Sequence, residues 1–433
     1  MRLVTLLPAA ALALHLAGCD PSPRRLERYG PTASAVASAA SLAACGWGEW
    51  TTYGQNPART SASPGCCRGP LKLLWSFRPP PKEPRQGQAQ TLAVTHDSIY
   101  VTGTLGESPA VYRLGVDGKL DWTFDSRADI YRGHWPTVAL GSVLVNDDGI
   151  YLLDPHTGKK KFDRWFDSWG QTLSDGKRFY WVSAWHVEGP RVLVGALDPT
   201  GQPQWSRNER GGVTREDAMD VIGGLALGGD TLFQTADFHF TNQAGVWAFD
   251  RKDGAPRWSQ AVFPKSAPST AAGKLFHAEG TKAGAATALV ARRATDGAVA
   301  WTVPVDGTDG AAPVVADGLV VTLDAAGTVT ARDIESGKAV WSSQGKPLPT
   351  ARPDGALWVT SIAAAVGSGT LVAVDGRELV LRGLRDGKES WRGTVGNGGA
   401  RLTNVVVAGG RVYVVADGVV NAVGCGGLGR APP

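Results

Sequence analysis

The stretch Ala196-Leu-Asp-Pro-Thr-Gly201-Gln-Pro-Gln-Trp205 decides the fold. An apolar pair leads into Asp198, a turn follows at Thr200-Gly201, and an aromatic stands four residues after the glycine. The pattern recurs as Gly118/Trp122, Gly158/Phe162, Gly254/Trp258, Gly297/Trp301, Gly337/Trp341 and Gly387/Trp391. With 56 Gly and 16 Trp in the chain, chance supplies about two Gly-x-x-x-Trp matches. Chance does not space them at 40 to 53 residues, the period of propeller blades. A turn former usually precedes the glycine: Asp117, Thr157, Asp253, Asp296, Ser336 or Asp386. Such a pair supplies the positive φ of a tight hairpin. Each unit therefore reads as strand, turn, strand with an inward aromatic.

A second element alternates with the first: an apolar run, a Gly or Asp turn, and another apolar run. Pro313-Val-Val-Ala-Asp-Gly-Leu-Val-Val321 and Val405-Val-Val-Ala-Gly-Gly-Arg-Val-Tyr-Val-Val415 are examples. Others lie near 92–101, 138–145, 172–181, 224–233, 269–276 and 362–372. Eight hairpins, each joined to the strand pair around a Gly-aromatic turn, give four strands per unit. The last hairpin runs into Val419-Val-Asn-Ala-Val423 with no aromatic strand after it, while Leu73-Leu-Trp75-Ser-Phe77 has no hairpin before it. Pairing these two ends completes the eighth unit and leaves no orphan strand. The expected fold is all-β, an eight-bladed propeller of four-stranded antiparallel blades over residues 47–425. Trp75, Trp122, Phe162, Trp205, Trp258, Trp301, Trp341 and Trp391 are its structural, blade-docking aromatics.

The 433 residues carry 44 basic and 40 acidic side chains, a net charge of +4. No Lys/Arg-rich run stands out, which disfavours nucleic acid as a partner. The N-terminus reads as an export signal. Arg2 precedes the apolar run Leu3 to Leu14, too short to span a bilayer as a helix, and small residues follow in Leu16-Ala-Gly-Cys19. This order resembles the bacterial lipobox. It implies removal of residues 1–18, lipidation of Cys19, and a protein held on a membrane facing the periplasm or cell exterior. Residues 19–46 read as a tether that becomes Ala/Ser-rich from Thr32 to Ala44. Residues 426–433 form a C-terminal tail.

The repeats of the form Ala-Leu-Asp-x-x-x-Gly-x-x-x-Trp look like the Trp-docking repeats of pyrroloquinoline-quinone-type propellers. The entry segment Trp50-Thr-Thr-Tyr-Gly-Gln-Asn-Pro-Ala-Arg-Thr60, followed by Leu71-x-x-x-Trp75, is similar to the start of that superfamily. The resemblance covers about residues 47–425. It implies the fold and leaves function open, because the superfamily includes quinoprotein dehydrogenases and also cofactor-free lipoproteins of the outer-membrane β-barrel assembly machinery. Adjacent Cys66 and Cys67 resemble the vicinal disulfide of the quinoprotein alcohol dehydrogenases. Here, however, they precede the repeats, and no Cys-x-x-Cys-His haem motif is present. With Cys19 acylated, Cys45, Cys66, Cys67 and Cys425 remain as an even number in an oxidising compartment. Cys425 is expected to bond Cys66 or Cys67, with Cys45 taking the other; a vicinal 66–67 bond is the rival.

No catalytic motif, no dinucleotide or phosphate loop, and no calcium loop with ordered Asp spacing appears. The seven His are scattered, and no metal site is read. Pyrroloquinoline quinone and calcium therefore have no motif to hold them. The loops of blades one to four differ from the rest in carrying aromatics and charges. They include Tyr131-Arg-Gly-His134-Trp135, Trp165-Phe-Asp-Ser-Trp169, Trp185-His186, Arg215-Glu-Asp217 and Asp237-Phe-His239. Two readings stand for them: local packing onto the sheet rim, or a partner face. On the second, Tyr131, His134, Trp135, Trp165, Trp169, Trp185, His186, Asp217, Asp237 and His239 bind other envelope proteins. The expected function is a lipid-anchored scaffold, monomeric within a complex. The alternatives are a quinone- or calcium-dependent oxidoreductase and a glycan or small-ligand binder.

Overall fold

The computed structural model describes residues 48–81, 87–105, 108–125, 135–146, 149–165, 170–185, 191–210, 221–238, 244–281, 285–307, 312–348, 364–396 and 398–425. Among them there is no helix, and none long and apolar enough to cross a membrane. The strands form eight small antiparallel sheets, the blades of one propeller. In seven blades the four strands follow one another in sequence. Blade 1, for example, is Gln88–Val94, Ser98–Leu105, Ser108–Gly115 and Leu120–Asp125. Blade 5 gains the short strand Phe263–Pro264, and blade 7 gains Ala62–Ser63, which lies parallel to Ala364–Gly367.

Blade 8 joins the two ends of the chain. Its first three strands are Leu402–Ala408, Arg411–Ala416 and Val419–Cys425, and its outer strand is Leu71–Phe77. Leu71 stands opposite Cys425, Trp75 opposite Ala422 and Phe77 opposite Val420. The closure inferred from the strand count is the one the molecule uses.

The repeated glycine and aromatic do not meet within one blade. Each aromatic lies on the glycine of the following blade. A Cβ placed on Gly158 would sit 2.7 Å from the Trp122 ring, on Gly201 2.5 Å from Phe162, and on Gly337 2.8 Å from Trp301. The series crosses the chain ends, with Trp391 against Gly69 and Trp75 against Gly118. Most of the indoles also donate Nε1–H to a carbonyl just before the receiving glycine. These bonds run from Trp75 to Val116 (3.0 Å), Trp122 to Pro155 (3.2 Å), Trp258 to Ala294 (3.0 Å), Trp301 to Ile334 (3.1 Å) and Trp341 to Leu384 (2.8 Å). Phe162 has no such proton. An aromatic with a polar tip thus serves apolar packing and a hydrogen bond together.

The core lies between blades. Leu173, Tyr180 and Val194 of blade 3 pack on Leu225, Leu232 and Phe249 of blade 4, and Phe276 and Leu289 of blade 5 on Val315 and Val320 of blade 6. The middle strands are buried on both faces, as Ser142–Asn146 is throughout. They consequently read as continuous apolar runs, whereas the outer strands are largely exposed. The first strands of successive blades lie against one another around the axis from blade 2 through blade 8 and on to blade 1. The turns between first and second strands and the Gly-aromatic turns share one end of the ring. The other connections leave from the opposite end.

Candidate functional site

A propeller's first strands present an inner edge with unpaired N–H groups, which must find partners if buried. Here the partners come from the entry segment, residues 48–63, a strap that circles the turn end of the ring. Gly409 of blade 8 donates to the carbonyl of Gly48 (3.1 Å). Val94 of blade 1 donates to Trp50 (2.7 Å), and Val138 of blade 2 to Thr51 (2.8 Å). Leu227 of blade 4 donates to Pro57 (2.7 Å), Thr270 of blade 5 to Ala58, Val315 of blade 6 to Thr60 and Val366 of blade 7 to Ser61 (each 2.8 Å). Blade 3 is reached through side chains: Thr52 Oγ1–H and Arg59 Nη2–H donate to the Thr172 carbonyl at 3.2 and 2.7 Å. All eight blades are touched in ring order.

Arg59 occupies the middle of this floor and is wholly buried. Its Nε donates to the Leu225 carbonyl (2.8 Å), and its Nη1 to Thr52 Oγ1 (3.0 Å) and to the Tyr53 carbonyl. The guanidinium carbon lies 5.2 Å from the Tyr53 ring centroid. Burial lowers its pKa to about 9, so it stays charged at neutral pH, held by neutral oxygens. Tyr53 in turn accepts the Ala312 N–H at its hydroxyl (3.0 Å) and packs edge-on against Trp135, 5.5 Å between centroids.

Trp135 is one of the loop aromatics for which the sequence leaves local packing and a partner face both open. It is 2% exposed, so local packing is the correct reading for this residue. Its replacement by alanine is expected to remove about 3–5 kcal/mol of stability, seen as a melting temperature lowered by several degrees in circular dichroism. The other candidates separate into two groups. Trp165, Trp185 and Asp237 lie at or beside the last residue of strands Lys160–Trp165, Phe179–Trp185 and Thr231–Phe238. Those strands end on the side opposite the strap, in blades 2, 3 and 4. Tyr131, His134, Trp169, His186, Asp217 and His239 fall outside the described residues, as do Cys19 and Cys45.

Sequence reasoning missed the strap's chemistry and a polar cluster between blades 4 and 5. In the cluster, the chain breaks the first strand of blade 5 at Lys265 and Ser266, both buried. Ser266 Oγ accepts the Ala278 N–H (2.9 Å), and Thr235 Oγ1–H donates to the Ser266 carbonyl (3.4 Å). Arg292 clamps Glu279 at 2.6 Å, and His277 Nε2 lies 3.3 Å from the same carboxylate oxygen. Burial, with Arg292 nearby, holds the imidazole's pKa down at about 3, so His277 is neutral. Among the described residues no group of three His, Cys, Asp or Glu is arranged to hold a metal. Cys66 and Cys67 are both buried between the strap and the outer strand of blade 8, and neither is a free thiol.

A sequence profile of the family described as outer membrane protein assembly factor BamB matches residues 190–286 and 268–428, more than half of the chain. The chain belongs to the BamB family. Solved structures agree in fold. BamB from Moraxella catarrhalis is 15% identical with a TM-score of 0.59, covering 82% of this chain and 100% of its own. The quinohemoprotein alcohol dehydrogenase of Comamonas testosteroni is 16% identical with a TM-score of 0.61, covering 89% of this chain and 82% of its own. The computationally designed protein Ika8 is 14% identical with a TM-score of 0.57, covering 81% of this chain and 100% of its own. No curated protein matches. An assembly factor, an enzyme and a design share this ring, so the likeness of shape selects no activity. For this BamB-family chain, function has to come from its surface.

Proposed function

We propose that the protein is a scaffold of the cell envelope, bound to a membrane through Cys19, that holds another envelope protein on the face of blades 1 to 4 opposite the strap. The observation that carries this reading is the strap. It occupies the floor of the ring with the chain's own backbone, so the reading assigns the partner to the opposite face. Trp165, Trp185 and Asp237 end strands on that face, and Trp is among the residues that most often carry interface energy. Membership of a family described as an outer membrane assembly factor supports the same location and role. Residues 19–46 serve as the tether. Cys425, opposite Leu71 in the closing blade, bonds Cys66 or Cys67, and Cys45 takes the other.

The test uses full-length protein in its own envelope. Trp165→Ala with Trp185→Ala is expected to lower recovery of a crosslinked envelope partner at least tenfold with the melting temperature unchanged. Cys19→Ser is expected to give protein that carries no acyl group and is not cleaved ahead of residue 19, read by mass spectrometry of the N-terminal peptide. Undiminished crosslinking in the double variant would remove that face from the proposal. Reduction of an electron acceptor by pure protein given quinone, calcium and an alcohol would replace the scaffold with an oxidoreductase.

A further inference from the structure

The strap's carbonyls accept a backbone N–H from each of seven blades, and it reaches the eighth through Thr52 and Arg59. We infer that residues 48–63 are the last element of the ring to dock, a lock that closes only when all eight blades are in place. Three observations lead there, none of them depending on the proposed partner.

First, the strap has little to hold it in shape alone. Its internal backbone bonds are a few turns, such as Arg59 N–H to the Asn56 carbonyl and Ser61 N–H to the Gly54 carbonyl, both 2.9 Å, joined by side-chain bonds from Arg59 to Thr52 and Tyr53 and from Asn56 to Thr60. Gln55, Arg59 and Ser61 have φ of 73°, 60° and 51°, a left-handed conformation disfavoured for residues with a Cβ. Such geometry persists only where the surroundings over-determine it. Second, the surroundings are spread around the whole ring. The strap's contacts span sequence separations of 166 residues for Arg59 to Leu225 and 259 for Tyr53 to Ala312. Contacts that close long loops form late, after the local pairings within each blade. Third, the outer strand of blade 8 follows the strap in sequence and needs Val419–Cys425 as its partner. The first described residues of the chain therefore wait for the last. The inner N–H groups of Val138, Leu227, Thr270, Val315 and Val366 wait with them.

Pulse-labelling hydrogen exchange during refolding of the full-length protein tests the order. Amides of residues 50–61 and 71–77 are expected to become protected together in the slowest phase, at least fivefold later than the second strands of blades 2 to 6. Protection of the strap in the same phase as those strands would overturn the inference. An equilibrium arm uses Arg59→Met and the milder Asn56→Ala, which removes the bond from Asn56 Nδ2 to Thr60 Oγ1 (2.6 Å). In either variant the amides of Val138, Val315 and Val366 are expected to exchange at least tenfold faster, with Glu389–Thr394 unchanged. Wild-type rates at those three amides in both variants would likewise overturn it. If Arg59→Met does not fold, Asn56→Ala carries this arm.

Discussion

Gly254→Ala is expected to destabilise the protein by about 3–4 kcal/mol, whereas Gly229→Ala, also at positive φ, is expected to cost only about 1 kcal/mol. The two glycines have φ of 72° and 62°, so the backbone penalty for a Cβ is similar. Their surroundings differ. A Cβ on Gly254 would lie 2.4 Å from the six-membered ring of Trp205, while one on Gly229 meets nothing within 4 Å. Trp205 cannot retreat freely. Its Nε1–H donates to the Arg251 carbonyl (3.3 Å), and its ring packs against Tyr180 at 6.1 Å. The substitution therefore adds a forced displacement of a docked aromatic to the cost of a left-handed alanine. Urea denaturation of both variants beside the wild type measures the difference, and equal midpoints would show that docking on glycine contributes little.

Arg59→Met should remove about 3–5 kcal/mol, against at most about 1 kcal/mol for Arg257→Met. Arg257 makes the more impressive ion pairs, both at 2.7 Å, with Asp230 and Asp250. Those pairs sit at the surface, where water replaces them at little cost. Arg59 is buried, and its loss takes the guanidinium donors from the carbonyls of Leu225 and Tyr53 in a site that water enters poorly. Leaving buried acceptors unsatisfied is the expensive half of a hydrogen bond. Thermal melts of the two variants rank them, and the reverse order would mean that the floor relaxes or hydrates easily.

The ring was legible because its repeat places a glycine and an indole at one blade spacing. The aromatics are legible as blade-docking residues, but the sequence does not show which glycine each one meets. Gly158 and Phe162 look like a unit, yet Gly158 receives Trp122 and Phe162 lies on Gly201. The period survives this exchange, because a dock onto the next blade repeats at the same interval as a contact within one. The closing pair was legible as well, from a strand count that left Trp75 and Val419–Val423 without neighbours. The strap was not. Its bonds to seven blades use its backbone carbonyls, which every residue has, so only Thr52 and Arg59 could have drawn notice. Trp135 failed for a different reason. An aromatic in a loop looks alike whether it faces solvent or packs on Tyr53 of the strap.

The strap also determines how the molecule meets a pull. Once the disulfides are reduced, so that Cys45 is tied to neither Cys66 nor Cys67, tension on the chain ahead of Gly48 does not reach the blades directly. It falls first on the Gly409–Gly48 bond, then on Trp50 and Val94, and then on Thr51 and Val138. Bonds lined up along a peeling segment break singly, each at low force. The strap can yield from blade 8 around to blade 7 while the sheets stay intact. Full release of its sixteen residues would pay out about 55 Å of chain before the outer strand of blade 8 is loaded. The floor of the ring is in this sense a reserve of slack, wound where a tug from the N-terminal side arrives first.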